Sequence, residues 1–303
     1  MSASEPKDEA LWTRLARANG KYESLANGEL HAWNFPPDEQ IRATLVCLHG
    51  IQTHGAWFAP LARSLAPHGF SLWCPDRRGS GLSPALGRGK RTADIESAQV
   101  WLDDIDAVVT AAARLGAPVF LIGTSWGARL ALAYAQTQGN GKRLQAVALV
   151  VPAFWTNADS LFGLWFAPVL RWFGLSISLE KRLPPEVYLP KGGRAGVTKE
   201  SAEFLAEISR DDPRLVKRVT FRALDEARKL SKMALRNPPA LPVTSFFDEA
   251  DALVKQPRSR QGLGDVGIVP NKSTHAGHGV QVLAPEELAN VLLPWLEEQL
   301  LAH

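Results

Sequence analysis

The stretch that most constrains this chain is Gly123-Thr124-Ser125-Trp126-Gly127, which fits the pattern G-x-S-x-G. The apolar run at residues 117–122 predicts a buried strand before it, and residues 128–136 predict a helix after it. A serine on a sharp turn from strand to helix is lifted out of the sheet as a nucleophile. Glycines are needed beside it because side chains there would collide across so tight a turn. We therefore predict that Ser125 is a nucleophile.

Apolar runs and helical spacing alternate along most of the chain. Strands are predicted at residues 30–35, 43–48, 70–74, 117–122, 146–151, 243–247 and 266–269. Helices are predicted at residues 57–66, 94–115 and 128–136 and at the C-terminus, where Leu288, Val291, Leu292, Trp295 and Leu296 form one apolar stripe. This alternation predicts an α/β fold with a doubly wound, mostly parallel sheet.

The alternation breaks at residues 153–239, which contain helix-like pieces, many aromatic residues and prolines, and no convincing strand. We predict an N-terminal lead-in at residues 1–29, an α/β core at 30–152 and 240–303, and a helical lid insertion at 153–239. The front of the insertion is almost entirely apolar. Three interpretations of it stay open: it packs on the core as lid interior, it lines an acyl-chain pocket, or it docks on a membrane surface.

Bulk composition excludes several classes of function. The net charge of the 303 residues is only +3 and the charges are interspersed, which argues against a nucleic-acid partner. The N-terminus lacks the apolar segment of a secretory signal, and no apolar run reaches the ~18 residues of a membrane span. The two cysteines, Cys47 and Cys74, lie in strand-like runs and are interpreted as core residues. We predict a cytoplasmic protein with no metal and no cofactor; its oligomeric state stays open.

A serine nucleophile needs a base, and the base needs an orienting group. Both are expected in loops at the carboxyl edge of the sheet. Asp248 and Asp251 follow one late strand, and His275 and His278 follow the next. The order Ser, Asp, His is the one that this architecture uses. Spacing alone does not choose between the two aspartates or between the two histidines.

Five segments resemble the α/β-hydrolase superfamily, within its lysophospholipase, monoacylglycerol-lipase and serine-aminopeptidase-like group. They are Leu48-His49-Gly50, residues 76–83, the Ser125 turn, Asp251-Ala252-Leu253-Val254 and Ala276-Gly277-His278-Gly279. The resemblance implies an α/β-hydrolase fold, with Asp251 as the acid and His278 as the base.

The acyl chemistry also needs backbone N–H groups aimed at the oxyanion. One is expected at Trp126, directly after the nucleophile. The resemblance implies the second at Ile51, although the chain lacks the HGGG variant of this loop. His49 is interpreted as a packed turn residue, and Asp76 and Arg77 as structural hydrogen-bonding groups.

An apolar lid favours a small-molecule ester with an apolar acyl part, such as a monoacylglycerol or a lysophospholipid. Trp155, Phe162 and Trp165 are candidate pocket residues. Three rival functions stay open: an aminopeptidase or amidase similar to proline iminopeptidases, an acyltransferase, and a ligand-binding protein on a hydrolase fold. Proline iminopeptidases usually carry His-Gly-Gly-Pro-Gly where this chain has His49-Gly50-Ile51-Gln52-Thr53.

The segment at residues 262–267 spells G-x-G-x-x-G, the fingerprint of dinucleotide-binding folds. It precedes a predicted strand instead of following one, and no predicted helix opens after it. We therefore reject a dinucleotide site there and interpret the segment as a flexible loop.

Overall fold

The computed structural model describes residues 20–25, 29–83, 92–137, 144–157, 166–179, 183–191 and 197–302. Its strands are β1 (Lys21–Leu25), β2 (Leu30–Phe35), β3 (Ala43–Leu48), β4 (Phe70–Asp76), β5 (Thr92–Ala93), β6 (Val119–Thr124), β7 (Leu144–Val150), β8 (Ser176–Ser178), β9 (Arg218–Thr220), β10 (Val243–Phe246) and β11 (Val269–Pro270). Its helices are α1 (Ala59–Leu65), α2 (Ala98–Ala113), α3 (Gly127–Thr137), α4 (Ala167–Leu170), α5 (Lys199–Asp211), α6 (Phe221–Ala234), α7 (Gln256–Gly264), α8 (Val280–Leu283) and α9 (Pro285–Leu301). Short 3-10 turns cover Gly55–Phe58, Ala66–His68, Arg171–Phe173 and Pro185–Tyr188.

Eight of these strands form the central sheet, in the order β1-β2-β4-β3-β6-β7-β10-β11. Strand β2 runs antiparallel to β1 and β4. The remaining neighbours in the central sheet, β4-β3-β6-β7-β10-β11, pair in parallel. All six residues of β3 and of β6 are buried, as expected for strands covered by helices on both faces. The carboxyl ends of β3, β6, β7 and β10 therefore meet at one edge of the sheet.

Two apolar layers cover the two faces of the sheet. Successive side chains of a strand point to opposite faces, so Leu45 and Cys47 join one layer while Val46 and Leu48 join the other. Helices α1 and α9 pack in the first layer, and helices α2, α3 and α6 pack in the second. The predicted C-terminal stripe is confirmed, because α9 turns those side chains toward the first layer. Both cysteines are free and buried, as interpreted from the sequence.

The segment between β7 and β10 contains α4, α5 and α6, and also two strands that the sequence did not predict. Strands β8 and β9 pair with each other, and β9 pairs with β5 in a separate sheet. Each of the two has three residues, which is too short for an alternating pattern to be recognised. The expectation of no strand in this segment was therefore wrong. Its role as a lid stays a prediction.

Three further details differ from expectation. Strand β1 lies inside the predicted lead-in and forms the edge of the central sheet. The predicted strand at 266–269 is reduced to β11, which is exposed and follows α7. The G-x-G-x-x-G segment is not a flexible loop, because Gly262 and Gly264 lie in helix α7. A Cβ on Gly262 would sit 2.2 Å from the Trp155 ring, so close packing accounts for this glycine.

Candidate active site

The backbone at Ser125 forms a tight elbow between β6 and α3. Ser125 adopts a left-handed conformation, with φ of 57°, and its N–H donates to the carbonyl of Val150 at 2.9 Å. A Cβ on Gly123 would lie 2.6 Å from the Gly127 oxygen, and one on Gly127 would lie 2.2 Å from the Leu48 oxygen. The strand, the helix and the neighbouring loop thus approach so closely that both positions require glycine. The elbow raises the Ser125 hydroxyl above the carboxyl edge of the sheet.

A chain of two short hydrogen bonds joins Ser125 to a histidine and a carboxylate. Nε2 of His278 lies 2.7 Å from Oγ of Ser125, and Nδ1 of the same ring lies 2.7 Å from Oδ2 of Asp251. A carboxylate only accepts, so Nδ1 carries the proton and Nε2 presents a lone pair to the serine hydroxyl. The structure thus brings together Ser125, which its motif predicted, and the Asp251 and His278 that the family resemblance implied.

The environment of Asp251 favours its ionised form. Burial opposes ionisation, but the neighbouring His278 and its hydrogen bond outweigh burial and hold the pKa of Asp251 below its ordinary value. The N–H groups of Leu253 and Val254 donate to Oδ1 at 2.7 and 3.1 Å and lower the pKa further. The carboxylate is therefore fixed in orientation and charged at neutral pH.

The two alternative residues lie elsewhere. Asp248 accepts hydrogen bonds from the hydroxyl of Thr274 and from the backbone N–H groups of Ala250, Ala276 and Gly277. These bonds hold the loop that carries His278, and Asp248 itself makes no hydrogen bond to the His278 ring. His275 is exposed, and its backbone N–H donates to Glu287. Asp248 therefore supports the loop that carries His278, and His275 lies on the surface.

The two residues predicted to supply oxyanion donors, Ile51 and Trp126, lie beside Ser125. Trp126 follows Ser125 in the elbow, and Ile51 follows Gly50, where a Cβ would lie 3.6 Å from Oγ of Ser125. Both Ile51 and Trp126 line the same cavity as Ser125. Within the described part of the chain, neither N–H donates to a backbone carbonyl. That these two N–H groups serve an oxyanion stays a prediction.

Arg77 holds the Ile51 loop in place, a role that the sequence did not reveal. Its guanidinium donates to the carbonyl oxygens of Gly50 at 3.2 Å and of Ile51 at 2.7 Å. The same group lies over the Trp126 ring, 4.5 Å from the centroid. Fixing both carbonyls fixes the peptide planes around the Ile51 N–H. The interpretation of Arg77 as a structural hydrogen-bonding group agrees with these contacts.

The neighbouring His49 and Asp76 are also structural, as interpreted. Nδ1 of His49 donates to the Gly50 carbonyl at 2.7 Å, and its Nε2 accepts from the Arg77 N–H at 3.0 Å. Burial, reinforced by Arg77, holds the pKa of His49 well below its ordinary value, so the ring is neutral. Asp76 accepts from the N–H groups of Gly55 and Leu82 and closes the turn at the end of β4.

Tyr188 is a further residue of the site that sequence reasoning missed. Its ring lies 6.0 Å from the His278 ring, its hydroxyl donates to Oε1 of Gln52, and its carbonyl accepts from the N–H of Gly279. Burial raises the pKa of the Tyr188 hydroxyl, which stays protonated. The side chain comes from the segment between β7 and β10, where no pattern marked it.

A cavity of about 720 Å³ opens above Ser125. Its walls are largely apolar and aromatic. The described lining residues are Ile51, Ser125, Trp126, Arg129, Ala153, Phe154, Trp155, Thr156, Leu183, Leu224, Ala227, Arg228, Ser231, Lys232, Leu235, Leu253, Lys255 and Arg258. Of the three pocket residues predicted from the sequence, Trp155 lies in this wall, and Phe162 and Trp165 lie outside the described residues.

The described end of the apolar front does not line the cavity. Phe166, Val169, Trp172 and Phe173 are each more than half exposed, whereas Ala167 is buried. Within 166–173, packing as lid interior therefore applies to Ala167 and to the half-buried Leu170, which packs against the core. Docking on a membrane surface stays a prediction.

No metal or membrane-spanning feature accompanies the site in the described residues. In that part of the chain, no group of three or more His, Cys, Asp and Glu side chains could hold a metal ion. None of the described helices combines the length and apolarity needed to cross a bilayer. The cytoplasmic location stays a prediction.

The parallel sheet flanked by helices, with a serine elbow at its carboxyl edge, defines an α/β-hydrolase fold, as the sequence predicted. A family model described as "serine aminopeptidase, S33" matches residues 39–279. The chain belongs to this family of hydrolases.

Solved structures share the fold at low sequence identity. A monoacylglycerol lipase from Paleococcus ferrophilus has a TM-score of 0.71 at 21% identity, over 89% of this chain and 99% of its own. A soluble variant of the monoglyceride lipase from Saccharomyces cerevisiae has a TM-score of 0.70 at 16% identity, over 92% of this chain and 94% of its own. A thermostable carboxyl esterase from Bacillus coagulans has a TM-score of 0.68 at 15% identity, over 93% of this chain and 98% of its own. No curated protein matches the chain.

Proposed function

We propose that the protein hydrolyses carboxylic esters through a covalent acyl-enzyme on Ser125. The observation that carries this proposal is the pair of 2.7 Å hydrogen bonds from Ser125 to His278 and from His278 to Asp251. Nε2 of His278 takes the hydroxyl proton as Oγ attacks the ester carbonyl, and then returns it to the departing alcohol. Asp251 orients the ring and stabilises the imidazolium. Water, deprotonated by His278, then releases the acid and regenerates Ser125.

The backbone donors of Ile51 and Trp126 serve the tetrahedral intermediates of both steps. Negative charge develops on the former carbonyl oxygen, and donors that are already in position stabilise it without reorganisation. The clamp of Arg77 on the Gly50 and Ile51 carbonyls supports this role, because it holds one donor rigidly.

The cavity supports an ester with an apolar part. Phe154, Leu183, Leu224 and Leu253 contribute apolar walls beside Ser125. Burial of apolar surface is worth about 25 cal/mol per Å², so a hydrocarbon chain is held in preference to a polar one. Structural neighbours that are monoacylglycerol and monoglyceride lipases support the same class.

An aminopeptidase is the second candidate function, favoured by the description of the family. An aminopeptidase must hold the ammonium group of a peptide N-terminus, for which a carboxylate is the usual partner. No Asp or Glu occurs among the described residues that line the cavity, whereas five of them are Arg or Lys. The charge of the cavity therefore favours an ester over an N-terminal peptide. Acyl transfer shares the acyl-enzyme and differs only in the acceptor.

The test compares ester and amide turnover by purified protein. 4-Nitrophenyl esters from acetate to laurate are assayed beside proline 4-nitroanilide, with Ser125→Ala as the inactive variant and Thr124→Ser as its matched neighbour. We expect ester turnover that rises with chain length, is lost in Ser125→Ala and persists in Thr124→Ser. Product analysis with added alcohols or thiols separates hydrolysis from acyl transfer. Failure to turn over any ester, together with tight binding of a small molecule, would favour a ligand-binding protein.

A further inference from the structure

Basic side chains gather on the cavity above Ser125. Arg228, Lys232, Lys255 and Arg258 line it, together with the buried Arg129. No acidic side chain is among the described lining residues. The described wall of the cavity is thus apolar over much of its area and positively charged elsewhere.

These cations come from two elements that converge on the cavity. Arg228 and Lys232 are four residues apart on helix α6 and therefore share one face of it. Lys255 immediately precedes helix α7, and Arg258 lies in its first turn. The N-terminus of α7 adds a partial positive charge of its own. Two separate parts of the chain thus supply charge of the same sign to one place.

Most of these charges have no ionic partner among the described residues. Among the described residues, no ion pair involves Lys232, Lys255 or Arg258, and all three are exposed. Arg258 packs its guanidinium 5.4 Å from the centroid of the Trp155 ring, in the cavity wall. Arg228 is different, because it donates to the carboxylate of Asp225. Gathering unpaired like charges costs free energy, which an anionic ligand would offset.

We propose that the ester accepted by this cavity carries both an apolar chain and an anionic group, a carboxylate or a phosphate, with the anion on either the acyl or the alcohol side. Ser125 attacks the ester, the apolar wall holds the chain, and Lys232, Lys255 and Arg258 hold the anion. This inference rests on the proposed esterase function and names its substrate class.

The kinetic test uses two matched pairs of esters. The first pair is mono-4-nitrophenyl suberate and 4-nitrophenyl octanoate, which places the charge on the acyl end. The second is 1-octanoylglycerol 3-phosphate and 1-octanoylglycerol, which places it on the alcohol side. The readout is the ratio of kcat/KM for the anionic ester to that for the neutral ester at low ionic strength. We expect a ratio of about 10 or more in at least one pair, decreasing as salt is added.

Charge-removal variants assign that preference to residues. Lys232→Gln, Lys255→Gln and Arg258→Gln should each lower the ratio about two- to fivefold, the range of exposed ion pairs. Arg63→Gln, an exposed cation on α1 outside the cavity, is the matched control and should leave the ratio unchanged. A ratio near 1 in both pairs, or a ratio that the three variants do not alter, overturns the inference while leaving ester hydrolysis intact.

A binding measurement separates this inference from the proposed function. Ser125→Ala is titrated calorimetrically with decyl phosphate, decanoate and decyltrimethylammonium below their critical micelle concentrations. We expect either anion to bind about tenfold more tightly than the cation, with the difference reduced in Lys255→Gln and not in Arg63→Gln. Equal binding of anion and cation contradicts the anionic site. Absence of ester turnover alongside selective anion binding contradicts only the proposed esterase.

Discussion

The guanidinium of Arg77 lies 4.5 Å from the centroid of the Trp126 ring, and so connects the two backbone segments that carry the proposed oxyanion donors. Its hydrogen bonds to the Gly50 and Ile51 carbonyls complete the connection. A side chain outside the reacting groups therefore holds the backbone at the proposed oxyanion site.

Replacing Arg77 with Met should loosen that geometry and lower kcat for esters by about 10- to 100-fold, somewhat less than the outright loss of an oxyanion donor. KM should change little, because the cavity walls remain. Steady-state kinetics on a short ester measures both parameters. Arg78→Gln is the control, since Arg78 pairs with Asp104 and Glu29 instead. Equal losses in the two variants would mean a general effect on folding.

Substitution of Asp251 should affect turnover, whereas substitution of Asp248 should affect stability. Asp251→Asn removes the carboxylate that selects the His278 tautomer and should lower kcat by about 10⁴. Asp248→Asn weakens four hydrogen bonds, three of them from the His278 loop, and should cost about 1–3 kcal/mol of unfolding free energy. Ester kinetics and urea denaturation are measured on both variants. The assignment is wrong if Asp248→Asn abolishes turnover while Asp251→Asn remains active.

Acid should destabilise the protein through carboxylates with lowered pKa values. Burial opposes ionisation of Asp225 and Glu226, but Lys229 and Arg171 beside both, together with Arg228 beside Asp225, outweigh it and lower both pKa values. The unfolded chain binds protons more readily than these native carboxylates, so their stabilisation is present above their unfolded pKa, about 4, and is lost as pH falls through the native values. Denaturation midpoints between pH 3 and 7 should therefore decrease toward acid. Asp225→Asn should flatten that decrease; an unchanged profile would contradict the assignment.

Two glycines of helix α7 should respond oppositely to alanine. A Cβ on Gly262 meets the Trp155 ring at 2.2 Å, whereas one on Gly264 meets nothing within 4 Å. Gly262→Ala should displace Trp155 in the cavity wall and change the preference among ester chain lengths. Gly264→Ala should leave that preference alone and stabilise the protein by up to about 1 kcal/mol. A chain-length series and thermal unfolding distinguish the two. The same length profile in both would show that Trp155 does not shape the cavity.

Much of the fold could be predicted because its signals are local. The runs at β3, β6 and β7 are mostly apolar, since helices cover both faces, and their alternation with helices defines the fold class. Strands β8 and β9 could not be predicted, because three residues carry no usable period. Helix α7 was missed because its glycines weaken the helical signal, and only the packing of Gly262 on Trp155 explains one of them.

The candidate site likewise contains residues that the sequence predicted and residues that it did not. Ser125, Asp251 and His278 stand in short motifs whose order is visible in the sequence. The choice of Asp251 over Asp248 came from a resemblance, because loop register depends on hydrogen bonds that no spacing reveals. Arg77 and Tyr188 contribute through contacts with residues distant along the chain. The basic side chains that line the cavity come from α6 and from the start of α7, so they are dispersed along the sequence.

The most direct test of the Ser125 assignment is peptide mapping by mass spectrometry after reaction with a fluorophosphonate. The wild-type protein should carry one adduct, on the peptide that contains Ser125. Labelling should be lost in Ser125→Ala, strongly slowed in His278→Gln and retained in His275→Gln. An adduct on another residue, or labelling of Ser125→Ala at the wild-type rate, would contradict Ser125 as the nucleophile.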